Sequence, residues 1–181
     1  QGGNHDRDKL VTLAEARRCY ELGNYSGVGF AFLPGDGLIG IDIDGAIDLE
    51  TGEVSSQLQA IIEAVGSYTE YSPSGKGAHI IVAGETRTNK DNGIGLEIFA
   101  GRQYFTFTGQ HWAGTPGTVE AIDEQVLARL HGTVDAAKAK RKTAGTAPPV
   151  VPGAPDLRTR VESALESLDP DMGYNDWIAI G

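Results

Sequence analysis

The run Leu38-Ile-Gly-Ile-Asp42-Ile-Asp44-Gly45 sets two carboxylates two residues apart behind a largely apolar stretch. In a β-strand, residues i and i+2 face the same side, so Asp42 and Asp44 project together while Ile41 and Ile43 turn into a core. Two like charges this close repel unless a cation sits between them or water surrounds them. Hard divalent ions such as Mg²⁺ or Mn²⁺ suit an all-oxygen pair of this kind. The plain alternative is a solvated Asp pair at a strand end. A calcium loop from Asp42 to Glu53 fails, because Ile47 takes the place of the sharp-turn glycine and a strand precedes it.

A second constellation is Glu70-Tyr-Ser72-Pro-Ser74-Gly75-Lys76-Gly77-Ala-His79, a glycine-spaced turn with two hydroxyls and a lysine that leads into a strand. Backbone amides in such a turn, with Lys76, can hold polyphosphate oxygens. It is not a Walker loop, since the Gly-x-x-x-x-Gly-Lys-Ser/Thr order is absent. Taken singly, Lys76 also fits an exposed turn and His79 a satisfied strand histidine. A third acid, Glu97, lies in Gly95-Leu96-Glu97-Ile98-Phe99, with Leu96 and Ile98 packing away from it. A lone Glu in a short strand is usually a surface residue; as a third carboxylate it would complete a site for two metal ions, the geometry used in nucleotidyl transfer. The stretch Gly101–Gly109 adds Arg102, able to meet phosphate, and then Tyr104, Phe105 and Phe107, which suit a core or sheet face better than a base-stacking platform.

The elements that must position these residues are legible. Thr12 to Glu15 reads as a capping box opening a helix that stops at Gly23. Residues 27–33 and 38–44 are two β-rich runs around Pro34-Gly35-Asp36-Gly37, a hairpin by its punctuation. Ser55 or Ser56 caps a helix with Leu58, Ile61, Ile62 and Val65 on one side, closed by Gly66. Strands are expected at 68–72, 79–82, 96–99 and 103–108, the last two paired across Ala100-Gly101-Arg102, and a final helix from Thr118. The pattern predicts an α+β fold with an antiparallel-leaning sheet. From residue 132 to 156 the composition shifts to Ala, Lys, Thr, Pro and Gly, a linker, and residues 157–181 begin a further helical segment.

Jointly and in this order, the Asp-x-Asp strand, Ser72–His79, the Glu97 strand and Gly101–Gly109 resemble the archaeo-eukaryotic primase superfamily. The nearest likeness is to the prim-pol domains of phage and plasmid replication proteins. The resemblance covers about residues 10–131, and the tail from Val161 looks like the start of a primase C-terminal helical domain. It implies an RRM-like catalytic core over residues 1–131, with part of the N-terminal lobe missing. Asp42, Asp44 and Glu97 would then hold two Mg²⁺ or Mn²⁺ ions, and His79 would contact the triphosphate. Ser74, Lys76 and Arg102 are further expected phosphate contacts. The reaction implied is template-dependent nucleotidyl transfer from nucleoside triphosphates, on single-stranded DNA template and primer, with a helicase domain often following in such proteins. The expected setting is the cytoplasm of a bacterial or archaeal host.

Two alternatives stand beside it. Asp42-Ile-Asp44-Gly45-Ala46 also resembles the nucleophile motif of haloacid-dehalogenase-type phosphatases, with Ala46 where Thr is usual and the later acid pair unaccounted for. A nucleotide- or DNA-binding module without catalysis is the other. Composition narrows the field further. The chain of 181 residues carries a net charge of −10 and one cysteine, excluding an internal disulfide and a cysteine zinc module. No apolar run approaches the roughly 20 residues of a membrane span. Residues 1–131 hold 18 acids against 9 bases, and four bases cluster at Lys138–Lys142. This deficit predicts weak hold on DNA by the front segment alone, with the basic cluster or other domains supplying the grip.

Overall fold

Strand β2 (Leu38–Ile43) organises the molecule, because its alternating side chains serve two different layers. The computed structural model describes residues 7–23 and 25–144. Along the chain, α1 (Leu13–Glu21) and β1 (Val28–Phe32) precede β2. After it come α2 (Ser56–Val65), β3 (Thr69–Tyr71), β4 (Ala78–Ala83), β5 (Asn89–Asp91), β6 (Leu96–Phe99), β7 (Gln103–Phe107) and α3 (Glu124–Ala144). A five-stranded antiparallel sheet has the order β3-β4-β2-β6-β5, and β1 pairs with β7 in a separate two-stranded sheet. The α+β class with antiparallel pairing is thus as expected. Among the described residues no helix is long and apolar enough to cross a membrane.

One face of the large sheet carries Ile39, Ile41, Ile43, Ile80, Val82, Leu96 and Ile98, packed under Leu58, Ile62 and Val65 of α2 and Val126, Leu130 and Val134 of α3. The helix caps follow their sequence signals. The Thr12 hydroxyl accepts the Glu15 amide, the Ser55 hydroxyl accepts the Leu58 amide, and Gly66 closes α2 in the left-handed conformation. Helix α3 starts later than its periodicity suggested. Residues before it bond to the end of β4 instead, where the Ala83 amide donates to the Glu120 carbonyl and the Ile122 amide to the Ala83 carbonyl. The Asp123 carboxylate then caps the helix by accepting the Gln125 and Val126 amides.

Two expected pairings are corrected. β1 and β2 are not a hairpin, and β7 does not pair with β6. The Asp36 carboxylate accepts the Leu33 amide and turns the chain out of the sheet after β1. At the other junction Gly101 and Arg102 both adopt positive φ, 112° and 56°. β1 and β7 therefore fold over the second face of the large sheet, where Phe32 and Phe105 meet Phe99 and Ile81. Gly40 makes this possible. A Cβ there would lie 2.6 Å from the tip of Phe32 and 2.8 Å from Phe105.

A short edge strand, β5, was not expected, and neither was the helical state of residues 132–144, read above as the opening of a linker. The two explain each other. Asn89 of β5, fully buried, donates to Asp135 and accepts from the Lys138 ammonium, while Asp91 pairs with Arg141. Fully buried Val134 continues the apolar stripe of α3 between these polar contacts. A stretch that read as linker composition thus forms a helix in which Asp135, Lys138 and Arg141 find partners on the sheet edge. The expected linker end and the segment 157–181 lie outside the described residues.

Replacing Gly40 with Ala is expected to destabilise the protein by about 1–3 kcal/mol through overpacking against the two rings. Urea denaturation reads this as a lowered midpoint at constant m-value, and an unchanged midpoint would show that the rings have room to yield.

Candidate functional site

The strand registers place the candidate residues in one row. Asp42 of β2 stands opposite His79 of β4 on one side and Glu97 of β6 on the other. The row continues outward to Glu70 of β3 beyond His79, and to Lys90 of β5 beyond Glu97. Directly paired residues of an antiparallel sheet share a face, so Glu70, His79, Asp42 and Glu97 all project toward the side covered by β1 and β7. Asp44, two residues beyond Asp42, joins them at the end of the strand, its amide bonded to the Gly95 carbonyl at 2.8 Å.

Glycines fix that strand end. A Cβ on Gly77 would collide with the Ile43 carbonyl, and one on Gly95, which sits at φ 63°, would lie 2.5 Å from the Asp44 carbonyl oxygen. Both neighbouring chains therefore approach the Asp44 backbone at a distance only glycine allows. The turn between β3 and β4 is tied to the same place, since the Lys76 carbonyl accepts the amides of Ala46 and Ile47 at 2.8 and 2.9 Å.

The electrostatics follow from this packing. Burial is the largest influence on Asp42 and, with the charges of Asp44 and Glu97, raises its pKa from 3.8 to about 6 against the opposing effect of His79. Its Oδ1 and His79 Nδ1 are both buried without a hydrogen-bond partner. His79 lies between two carboxylates, with Nε2 3.6 Å from Asp42 Oδ1 and Nδ1 3.7 Å from Glu70 Oε1. Its ring stacks on Phe105 at 4.2 Å and 17°. An open cleft of about 250 Å³ is lined by Asp42, Pro73, His79, Phe99 and residues 103–106 of β7.

The expected site residues divide. Asp42, Asp44, Glu97 and His79 come together. Ser74 and Lys76 are exposed on the neighbouring turn. The Ser74 hydroxyl accepts the Lys76 amide and bonds with Ser72 Oγ, and the Gly75 amide donates to the Ser72 carbonyl, so these amides close the turn on itself. Arg102 is exposed in its left-handed turn and is not among the residues lining the cleft. Of the aromatic run, Phe105 is core, whereas Tyr104 is 56% exposed beside the cleft.

Glu70 was missed. It is 1% exposed, and its carboxylate accepts the amides of Thr108 and Gly109 and the Tyr68 hydroxyl. Burial alone would raise its pKa, but His79 and these three donors hold it below the usual glutamate range. Its place in the motif before His79 was visible in sequence; the donors come from residues nearly forty positions later and were not.

The all-oxygen chemistry of these donors suits a hard divalent cation. Three carboxylates share a face, one has an orphaned oxygen, and mutual repulsion is what a cation would relieve. Among the described residues, however, no group of three or more His, Cys, Asp or Glu side chains is arranged to hold a metal ion by itself. Further ligands would have to come from water or substrate, as is usual for Mg²⁺ at phosphate-handling sites.

With this geometry in place, the chain compares with one curated protein as follows. It is 32% identical over 108 residues to a DNA primase-polymerase of Nitratiruptor phage NrS-1, an alignment covering 56% of this chain and 15% of the relative. The resemblance to prim-pol domains holds. The chain spans about 15% of the length of the curated relative it matches. No family model matches it.

In the metal-free protein the Asp42 shift has a definite sign. A pKa raised on folding stabilises the fold below about pH 4, and that contribution is lost as pH rises through about 6. Asp42→Asn is therefore expected to be more stable than wild type at pH 8 by about 1–3 kcal/mol, with the advantage gone below pH 4. Urea melts of both proteins at pH 4, 6 and 8 in the presence of chelator test it; a variant less stable than wild type at pH 8 contradicts the burial assigned to Asp42.

Proposed function

We propose that this chain carries the catalytic site of a template-dependent nucleotidyl transferase, a DNA primase or polymerase acting in phage or plasmid replication. The observation that carries the reading is the cross-sheet row of Asp42, His79 and Glu97, with Asp44 beside it, in a chain similar over 56% of its length to a phage primase-polymerase. Asp42, Asp44 and Glu97 would hold two Mg²⁺ or Mn²⁺ ions. When bound, such ions activate a primer 3′-hydroxyl and neutralise charge on the triphosphate and its leaving group.

The chain's own residues supply the rest. β2 and β6 present their carboxylates from rigid paired strands, which fixes their separation before substrate arrives. His79, held flat on Phe105, offers a ring nitrogen beside Asp42 where a phosphate oxygen would approach. Lys76 on the adjoining turn adds positive charge near the same strand end, and Ser74 braces that turn. Arg102 would reach phosphate only from the β6–β7 turn, outside the cleft. Nucleoside triphosphates and a single-stranded DNA template with primer are the substrates this arrangement serves, and a helicase domain is the partner expected in the full-length protein.

The Asp42→Ala/Asp44→Ala double variant should lose primer extension by roughly 10²–10³ or more, the scale of removing a group that stabilises transition-state charge. Its circular dichroism should be unchanged, because Asp44 is exposed and Asp42 carries a burial cost. Extension is assayed on single-stranded template with each nucleotide type and each metal. An undiminished rate overturns the proposal, and template-free hydrolysis of a simple phosphate ester lost in the same variant would favour the phosphatase alternative.

A further inference from the structure

We propose that Glu70 is a positioning residue for His79: its buried carboxylate holds the Nδ1 edge of the imidazole, so that Nε2 is turned to Asp42 and the cleft. This deepens the nucleotidyl-transfer reading and rests on it for the role of His79, but the orientation itself stands on geometry. Three adjacent strands put Glu70, His79 and Asp42 in one row. The plane of the ring is set by Phe105. What remains free in a stacked imidazole is which edge faces which neighbour and where its proton sits, and Glu70 lies on the Nδ1 side at 3.7 Å. That is a little beyond hydrogen-bond length, as often found in catalytic sites before substrate binds.

The carboxylate is well placed to do this because three donors hold it. Its Oε1 accepts the Thr108 amide at 2.9 Å, and its Oε2 accepts the Gly109 amide at 3.0 Å and the Tyr68 hydroxyl at 2.9 Å. Thr108 is anchored again through its hydroxyl, which donates to the Tyr71 carbonyl at 2.8 Å. The same group therefore clamps the end of β7, whose residues 103–106 line the cleft, and faces His79 Nδ1, a buried nitrogen with no other hydrogen-bond partner. A residue needed only to cap two amides has no reason to aim an anionic oxygen at an imidazole. A carboxylate behind a functional histidine accepts from Nδ1 and so fixes the orientation of the ring, leaving the Nε2 edge turned to the substrate side.

Two measurements test this on the full chain with Glu70→Gln, which keeps the shape, removes the charge and replaces one of the two oxygens that accept the Thr108 and Gly109 amides by an NH2. The first needs no activity. Nitrogen NMR of the histidine rings at pH 8, without metal or nucleotide and with His79 assigned through His79→Ala, is expected to show Nδ1 protonated in the wild type. In Glu70→Gln that proton should redistribute between the two nitrogens. A bare Nδ1 in the wild type, or an identical spectrum in the variant, overturns the proposal. The second is a double-mutant cycle on primer extension. Glu70→Gln should raise the nucleotide KM about tenfold in the wild-type background but less than about twofold when His79 is already Ala, with template KM unmoved. An equal factor in both backgrounds would mean that Glu70 acts on structure alone. If the wild type extends no primer while the NMR result holds, the functional reading fails and the positioning stands.

Discussion

Holding several carboxylates together on one partly covered sheet face is the constraint from which the rest of this structure follows. Ionised Asp42 is disfavoured by burial and by the charges of Asp44 and Glu97, so the strands that carry them must be stabilised elsewhere. The opposite face of β2 provides this. Ile39, Ile41 and Ile43 lie in a continuous apolar layer under α2 and α3, and burial of such side chains contributes about 1.5–3 kcal/mol each. A strand that is all core on one side can carry unfavourable chemistry on the other. His79, beside Asp42, opposes part of the rise in its pKa.

The second sheet is the other half of the arrangement. Had β1 and β7 extended the large sheet at its edges, Asp42 and His79 would face open water. Folded across it, they cover the row, remove His79 from solvent, and leave a small cleft beside β7. This geometry hangs on close approach at few places. Gly40 admits two aromatic rings, and Gly77 and Gly95 let backbone close on Asp44. Glu70 then ties the end of β7 to the row through two backbone amides. The cleft wall and the histidine thus share one support.

Charge on the outside tells a related story. Two of the bases in the cluster at Lys138–Lys142 are engaged with β5, Lys138 with Asn89 and Arg141 with Asp91. The latter pair, with the amides of Gly93 and Ile94, holds the Asp91 pKa below the ordinary range. These bases lock α3 to the sheet edge rather than forming a free basic patch. A domain with 18 acids against 9 bases in its first 131 residues has correspondingly little to offer a phosphate backbone away from its proposed metal site.

Much of the site was written in local pattern. Period-two alternation alone assigned Asp42, Asp44 and Glu97 to faces opposite the isoleucines and leucines, and the serine, threonine and glycine caps marked α1 and α2, because those signals depend on neighbours a few residues away. What it could not determine was partnership. Turn punctuation at Pro34–Gly37 and Ala100–Arg102 predicts a change of direction but not whether the chain returns in the same sheet or crosses over its face, a choice made by Phe32 and Phe105 fitting onto Gly40. The same holds for Glu70, whose burial depends on amides of Thr108 and Gly109, and for α3, whose polar residues are helical because β5 receives them. Sequence by itself determined which side chains could do chemistry and which way each would face along its own strand. Only the tertiary structure decided which strands lie side by side, and so that Glu70, His79, Asp42 and Glu97 form one row, since register between distant segments is set by packing across the fold and not by any local spacing.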